Sequence, residues 1–291
     1  MDINISPVKS ALYSELVLSL YPILIKNVPT TLLTQTLGRF LVFPVLAFLL
    51  GPVSEIKDAW GTPLNALAST LHGLLNLVHV GASYISFKDL PAGSAVSLFY
   101  TYPLMILLAR MILFGESVNV HSVVFLLIAF CGAYLVATAT ERDSETKKEK
   151  KNAMRGIIAS LTSAATEMLI YLFVRSHHSL SPFFTIQHLY PSGLVFLLIY
   201  ALYHPKQVDK KSTTWFPLIA FNAILGFTGY ILRFFSIPKL PTIMYSALSF
   251  IGVMSAYIWG LLFADEKPSL KAVVGGGLIA TAIGFVRYFE S

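Results

Sequence analysis

Glu167 stands inside a stretch of otherwise apolar and small residues, GIIASLTSAATEMLIYLFVR. If this stretch is a helix, Ser160, Ser163 and Tyr171 share a face with the carboxylate, because they lie four or seven residues away from it. A carboxylate is costly to bury among apolar residues, so it binds a proton, pairs with the cationic group of a substrate, or is held by a basic side chain for packing. We expect Glu167 to be the centre of a substrate-binding or coupling site, with the packing role as the alternative.

A second acidic residue, Glu15, begins a series of polar or helix-bending residues at offsets of 4, 7 and 11, which is one face of a helix. The other members of the series are Ser19, Pro22 and Lys26. We include Glu15 among the candidate site residues. The alternative is that Glu15, near the start of its apolar stretch, reaches polar surroundings, and that Lys26 does the same at the other end.

The same offsets recur in a third stretch, which carries His72, Asn76, His79 and Ser83. Histidine can carry a proton near neutral pH, so this face could line a cavity and take part in coupling. It could equally form hydrogen bonds between helices. Two imidazoles without a carboxylate or cysteine beside them do not indicate a metal site, and we predict none.

Three arginines lie in or at the ends of apolar stretches: Arg39, Arg110 and Arg233. A buried guanidinium needs a partner or a wet cavity, and its fork of donors suits a carboxylate or phosphate. We expect Arg39 and Arg233 to face the cavity, either as substrate ligands or as partners of Glu15 or Glu167. Arg110 is interpreted as an anchor at a polar boundary.

Aromatic residues with polar tips add a further group of candidates, of which Tyr100 is the one we place in the site. Its ring could stack on a substrate, as could those of Tyr102, Tyr230 and Trp259. Such residues also anchor helices at membrane interfaces, which is the alternative for each of them.

Signatures of enzymes are missing from the sequence. It contains no nucleophile elbow, P-loop, metal-ligand spacing or dinucleotide-binding fingerprint in a suitable context. The glycine-rich VVGGGLIA lies within an apolar stretch, where small residues let helices approach each other. We therefore predict no enzymatic activity, no cofactor and, because the basic residues cluster in loops, lipid headgroups rather than nucleic acid as anionic partners.

Composition decides which solvent surrounds these residues. Of 291 residues, 55% are hydrophobic and 12% charged, whereas soluble domains carry about 25% charged residues. Segments of about 20 apolar residues match the thickness of a bilayer. The sequence predicts an all-α integral membrane protein with ten transmembrane helices, near residues 9–28, 31–50, 63–86, 91–113, 119–139, 155–174, 182–203, 215–235, 241–263 and 270–288.

The chain repeats itself. The segment 90–116, LPAGSAVSLFYTYPLMILLARMILFGE, aligns without a gap on 240–266, LPTIMYSALSFIGVMSAYIWGLLFADE. In the earlier parts of the two halves, a slightly larger shift places Glu15 on Glu167. We predict two repeats of five helices each, in residues 1–140 and 155–291.

The segment 141–154 between the repeats is highly charged and nearly free of apolar residues, so it is predicted to be a solvated linker. An odd number of helices gives the two repeats opposite orientations in the bilayer. Inverted repeats are typical of secondary transporters, which bind substrate near the midplane between the repeats.

The repeated pattern of Leu-Pro, small and apolar residues and Gly-Glu or Asp-Glu resembles the EamA-type repeat of the drug/metabolite transporter superfamily, which is related to the triose-phosphate and nucleotide-sugar transporters. Pro103 departs from the symmetry, because it aligns with Val253. A paired Lys-Arg, which resemblance to the phosphate exchangers implies for the ninth helix, is missing. The resemblance is specific for fold, but not for substrate.

From these residues and this resemblance we expect a secondary transporter, an exporter or exchanger that moves a small metabolite by alternating access through a cavity between the repeats. The alternative is a membrane scaffold or receptor that keeps the transporter fold without transporting. A polar cavity open to water distinguishes the two, because a scaffold has no use for it.

Two features of the sequence give opposite indications of the orientation in the membrane. An even number of helices puts both termini on one side, which carries six basic residues against thirteen on the other side, so the positive-inside rule favours external termini. The resemblance implies cytoplasmic termini, and four acids are interleaved with the basic residues of the central linker. We favour cytoplasmic termini.

Overall fold

The computed structural model describes residues 5–90, 92–117, 119–138, 147–177, 181–263 and 269–290, all as helices and short connections without a strand. A π-helical turn, Asn222–Gly226, joins the helix that ends at Phe221 to the helix that begins at Phe227. The α-helices are α1 Pro7–Leu18, α2 Tyr21–Asn27, α3 Leu32–Leu50, α4 Val53–Trp60, α5 Pro63–Asp89, α6 Ala92–Phe99, α7 Tyr102–Phe114, α8 Val120–Thr138, α9 Lys147–Ser176, α10 Pro182–Leu189, α11 Pro191–Tyr203, α12 Ser212–Phe221, α13 Phe227–Ser236, α14 Thr242–Ser249, α15 Ile251–Phe263 and α16 Leu270–Glu290.

The described helices confirm an all-α integral membrane protein. Eight helical segments are long and apolar enough to cross a bilayer, and the apolar part of α8, Val120–Val136, is slightly shorter. The 27-residue α5 is long enough as well, but it carries the polar face that begins at His72. Together these ten segments coincide with the ten predicted spans.

Four of the predicted spans are each broken into two helices. Three of the breaks, before α2, α7 and α11, are followed at once by Pro22, Pro103 and Pro191. Proline fits the first turn of a helix because its missing N–H has no helical partner there. The fourth break, at Phe250 between α14 and α15, has no proline. The second repeat therefore keeps the break although Val253 replaces the proline of the first repeat.

Two connections differ from the sequence prediction. The link between the second and third spans contains the short helix α4, Val53–Trp60. Of the predicted linker 141–154, residues 141–146 lie outside the described residues, and residues 147–154 form the first turns of α9. Lysine, glutamate and alanine are good helix formers, so this charged segment extends the helix rather than remaining irregular.

The two halves pack symmetrically. The first helix of each half lies against the third helix of the other half, as α1 does with α13 and α9 with α5. The second spans pair with each other, α3 with α10 and α11, and so do the fourth spans, α6 and α7 with α14 and α15. The fifth helices, α8 and α16, form the most extensive contact. Every span of one half therefore packs on a span of the other half, as expected of two inverted five-helix repeats.

Two glycines bring α8 and α16 together. A Cβ atom on Gly132 would lie 2.6 Å from the carbonyl oxygen of Gly275, and one on Gly275 would lie 2.5 Å from the carbonyl oxygen of Gly132. Side chains cannot relieve a collision with the backbone of the neighbouring helix. The small residues therefore set the distance between the two helices.

We predict that Gly132→Ala lowers the thermal unfolding midpoint of the purified protein, at a cost of about 1–3 kcal/mol, because the new methyl group forces α8 away from α16. Gly277→Ala is the matched control, since nothing lies within 4 Å of a Cβ at that position on α16. The control should unfold at the same temperature or slightly higher. Equal midpoints for the two variants would contradict the close backbone contact.

Candidate functional site

Glu167 lies in an ion-pair network at the interface of the two halves. Its Oε1 is 2.8 Å from Nη2 of Arg233, and its Oε2 is 3.3 Å from Nε2 of His79. All three side chains are almost fully buried. Glu167 on α9 is thereby joined to the third helix of each half, α13 through Arg233 and α5 through His79.

Glu15 on α1 is the second carboxylate of the network. The hydroxyl of Tyr100 donates a short hydrogen bond to its Oε2, and its Oε1 lies 3.8 Å from Nη2 of Arg233. That Oε1 is buried and has no hydrogen-bond partner. Gly252 makes the arrangement possible, because a Cβ there would lie 1.8 Å from the hydroxyl of Tyr100 and 2.8 Å from the Glu15 carboxylate.

Arg233 is the central cation. Besides the carboxylates, its Nη2 donates to the hydroxyl of Tyr102 at 2.7 Å and its Nε donates to the hydroxyl of Tyr245 at 3.1 Å. These tyrosines come from the fourth spans of the two halves, α7 and α14. One guanidinium therefore connects helices of both repeats, and it stabilises two buried acids that would otherwise be very costly.

The contact between His79 and Glu167 needs one proton between the two groups. The Nδ1 of His79 lies 3.1 Å from the carbonyl oxygen of Ser163, which can only accept, so Nδ1 carries hydrogen in that bond. Its Nε2 faces a carboxylate oxygen, and a favourable contact there requires a proton on one of the two groups. The pair therefore holds one proton, which can lie on either His79 or Glu167.

The two carboxylates are related by the repeat. Glu15 and Glu167, which align in the sequence, both lie on the first helix of their half and both face the third helix of the other half. Arg233 and His79 occupy those third helices, so a strong base faces one acid and a weak base the other. The positions of these four residues are thus related by approximate two-fold symmetry, but their charges are not.

Arg39 on α3 lies apart from the carboxylates. Its Nε and Nη2 both donate to the hydroxyl of Tyr190, at 3.0 and 2.6 Å, and its guanidinium carbon is 4.3 Å from the ring centre of Tyr230. The rings of Tyr21 and Phe43 lie about as close as that of Tyr190, between 5.1 and 5.6 Å. No ion pair joins Arg39 to a carboxylate within the described part of the chain.

Arg39 and the network share a small cavity of about 40 Å³. This volume holds one or two water molecules, so a metabolite fits only if the surrounding helices move. Among its lining residues are Arg39, His79, Ser83, Tyr100 and Arg233.

A larger cavity of about 810 Å³ lies beyond it, on the side of the membrane opposite the termini. We call this cavity the vestibule; it is lined by Ile25, Lys26, Pro29, Thr30, Thr31, Gln35, Lys88, Lys206, Val208, Asp209, Lys210 and Lys211.

On the side of the termini, which we call the closed side, a polar contact joins the two halves. Glu116, at the end of the fourth span, accepts hydrogen bonds from Arg110 at 2.7 Å and from Thr242 of α14 at 3.3 Å. Within the second half, Nη1 of Arg175 donates to the carbonyl oxygens of Ile237, at 2.7 Å, and Leu240. The protein therefore has a vestibule on one side and a polar contact between the halves on the other.

Two predicted site residues lie outside the network and the small cavity. His72 is half-buried against the ring of Phe173, with centroids 4.0 Å apart, and its Nδ1 has no hydrogen-bond partner. Nδ2 of Asn76 donates to the carbonyl oxygen of Leu189 at 2.8 Å, which ties α5 to α10. Sequence reasoning did not single out Tyr245, because one tyrosine in an apolar span carries no signal of its partner. Across the described residues, no group of three or more His, Cys, Asp or Glu could hold a metal ion.

We predict that Arg233→Gln lowers the free energy of unfolding by about 3–5 kcal/mol, because it leaves two buried carboxylates without their cation. Adding Glu167→Gln should restore part of the loss, since it removes one of those carboxylates. Thermal unfolding of the purified variants measures both effects. Arg287→Gln is the matched control, because Arg287 is exposed and forms no salt bridge within the described residues, so a loss of about 0–0.5 kcal/mol is expected. A double variant less stable than Arg233→Gln would contradict this account.

Comparisons with known proteins agree with this architecture. The model of the EamA-like transporter family matches residues 6–138 and again residues 154–288. A solved crystal structure superimposes with a TM-score of 0.72 over 97% of this chain and 98% of the other, at 15% sequence identity, which is a likeness of fold.

A curated relative from Bacillus subtilis (strain 168), described as "Uncharacterized transporter YxxF", is 26% identical over 191 residues. The match covers 65% of this chain and 60% of that relative, so the chain spans less than two thirds of the relative's length. The family model, in contrast, covers both halves of the chain. The chain therefore belongs to the EamA-like transporter family and is an integral multi-pass membrane protein.

Proposed function

We propose that this protein is a secondary transporter that moves a small metabolite by alternating access, with the site between its two repeats. The observation that carries the proposal is the buried network of Glu15, Glu167, His79 and Arg233, which draws on both halves. Ionised groups at this depth are costly, and replacing them by apolar residues is often neutral or stabilising. A role in binding or coupling explains why the protein contains them.

The broken helices support the same proposal. The first, fourth, seventh and ninth spans are each interrupted next to the network or the small cavity, at 19–20, 100–101, 190 and 250. Interrupted helices leave backbone groups unpaired within the bilayer, which is tolerated where they line a cavity or are buried in protein. In transporters with inverted repeats, such helices surround the substrate.

Alternating access requires that the closed side opens while the vestibule closes. The contact of Glu116 with Thr242 would then break, and the third helices would move relative to the first helices of the other half. A proton moving between His79 and Glu167 changes the attraction of Arg233 for Glu167. Because Arg233 connects both halves, we infer that this proton controls how firmly the halves are held together.

The first experiment measures the thermal stability of the purified protein with a panel of amino acids, sugar phosphates, nucleotide sugars and organic cations. A ligand at about 100 times its dissociation constant adds about 2.7 kcal/mol of stability, which moves the midpoint visibly. A stabilising solute is then used for uptake into proteoliposomes under an imposed pH gradient.

We predict that Glu167→Gln abolishes gradient-driven uptake of that solute, because the variant cannot exchange a proton with His79. Asp58→Asn removes a carboxylate from an exposed position and should leave uptake unchanged. Gradient-driven uptake by Glu167→Gln at the wild-type rate would exclude the coupling role. If no solute of the panel stabilises the protein or enters the vesicles, the result favours the scaffold or receptor alternative.

A cross-link tests alternating access itself. In a Cys131→Ser background, which removes the only native cysteine, Glu116→Cys and Thr242→Cys place two thiols across the closed side. A short bifunctional methanethiosulfonate should stop uptake, because it holds this side shut, and a reducing agent should restore it. Each single-cysteine variant treated in the same way is the control. Full uptake by the cross-linked double variant would exclude opening on this side.

A further inference from the structure

Arg39 differs from Arg233 in what surrounds it. Arg233 has two carboxylates within 4 Å, whereas Arg39, which is 2% exposed, has one hydroxyl acceptor and four aromatic rings around it. Aromatic faces attract a cation through their quadrupole but do not neutralise it. A buried guanidinium in such surroundings retains the capacity to bind an anion.

Neighbouring hydroxyl groups add to this capacity. The hydroxyl of Tyr84 is buried beside Arg39, which can only donate, so the hydrogen of this hydroxyl is not used in that contact. The hydroxyl of Tyr190 accepts from Arg39, so its own hydrogen is available to another acceptor. A guanidinium with two hydroxyl donors beside it suits an oxyanion, which offers several acceptor oxygens.

Neighbouring residues on three helices line the vestibule and the small cavity. Ile25 and Pro22 on α2, Gln35 and Arg39 on α3, and Lys88 and Phe87 on α5 line first the vestibule and then the small cavity. Arg39 is one helical turn below Gln35. The inner end of the vestibule therefore lies next to the small cavity that Arg39 lines.

The charge of the vestibule is strongly positive. One acid, Asp209, stands among five lysines in its lining, which are Lys26, Lys88, Lys206, Lys210 and Lys211. A hydrogen bond from the backbone N–H of Lys211, with others from the hydroxyls of Thr214 and Thr30, lowers the pKa of Asp209, so it remains ionised at neutral pH. The net charge of the lining is then four positive charges. A cleft of one sign concentrates ions of the opposite sign.

We propose that the transported solute carries a carboxylate or phosphate group, which the lysines of the vestibule attract and the Arg39 guanidinium binds. This inference rests on the proposed transport function and adds the chemical class of the substrate. The volume of the vestibule, about 810 Å³, is within the range of sites for small organic molecules. The vestibule lysines accelerate entry, and Arg39 with its hydroxyl neighbours holds the anionic group.

The first test needs no knowledge of the substrate. In the Cys131→Ser background, Val208→Cys places a thiol in the vestibule. The rate of each reagent is divided by its rate with a small thiol in solution. On this scale, the negatively charged sulfonatoethyl methanethiosulfonate should modify the introduced thiol on the order of tenfold faster than the positively charged trimethylammonium-ethyl reagent. Changing Lys206, Lys210 and Lys211 together to Gln, all of them exposed, should remove most of this preference.

The matched control changes three lysines on the other side of the membrane, Lys9, Lys57 and Lys239, to Gln. This triple variant has the same loss of charge and should keep the preference for the anionic reagent. High salt should reduce the preference in the wild type, because charges in contact with solvent are screened. Equal rates for the two reagents in the wild type, or an equal effect of both triple variants, would overturn the role of the vestibule.

The second test measures binding at Arg39 with matched probes that share one ring: benzoate, benzamide and benzylamine. Glycerol 3-phosphate and glycerol form a second pair. In nanodiscs of phosphatidylcholine, we expect at least one anion to bind more tightly than its neutral and cationic counterparts. Arg39→Gln should weaken that binding by about 10- to 100-fold, and Arg39→Lys, which keeps the charge, by less. Anions that bind no better than their counterparts would overturn the inference.

Lipid headgroups carry the same oxyanions as a solute. A further binding experiment therefore distinguishes a lipid from a dissolved solute as the anion that occupies the site. Nanodiscs that contain phosphatidylglycerol should leave the affinity for the anionic probe nearly unchanged. If this lipid abolishes binding that depends on the lysines, the vestibule is a lipid site and the substrate inference is wrong.

Failure of this inference is distinguishable from failure of the transport proposal. Uptake of a neutral or cationic solute that depends on Glu167, but not on Arg39 or the vestibule lysines, would leave the transport function intact and exclude an anionic substrate. Absence of any uptake or binding by the wild type would contradict both.

Discussion

The buried ion-pair network centred on Arg233 is the interaction on which the arrangement of the two halves depends. Its shortest ion pair, 2.8 Å, joins Arg233 to Glu167 within the second repeat, and the helices that carry these two residues, α13 and α9, pack against α1 and α5 of the first repeat. Charges at this depth leave few alternatives, because each must have a partner or a wet cavity. The partners of Arg233 include groups from both halves, so the position of one half constrains the other.

Symmetry and function make opposing demands on this network. Two identical halves would place the same base opposite each acid, and the two ion pairs would then be equally strong. This chain has Arg233 opposite Glu15 and also bound to Glu167, and the weaker base His79 opposite Glu167. A guanidinium keeps its charge, whereas an imidazole is a weaker base that can also be neutral. In the proposed transport cycle, this difference would allow one of the two contacts to change while the other persists.

Much of the fold follows from the sequence, because each span is long, apolar and bounded by charges, and rare residues recur in the two repeats. The break at Phe250 could not be predicted, since the proline that marks the equivalent break at Pro103 is missing from the second repeat. The helical start of α9 was also missed. Its charged composition excludes a core, but it does not exclude a helix extending from the membrane into water.

The site was less predictable than the fold, for a definite physical reason. The cost of burying charge singles out Glu15, Glu167 and Arg233, and the structure brings these three together. The spacing of a helical face says which residues point the same way but not what they face. His79 faces Glu167, whereas Asn76, on the same face, bonds the backbone of α10 and His72 packs on Phe173.

The lysines of the vestibule could not be grouped from the sequence either. Its lysines come from three connections that are far apart in the chain, and no local pattern relates them. Asp209 holds two of these connections together, since its carboxylate accepts from Thr30 at 3.2 Å and its backbone N–H donates to Thr34 at 2.9 Å. The basic charge that the positive-inside rule counts as a signal of orientation is thus partly gathered at the mouth of a cavity. Where a substrate is charged, such residues serve entry as well as topology, and the count alone cannot separate the two contributions.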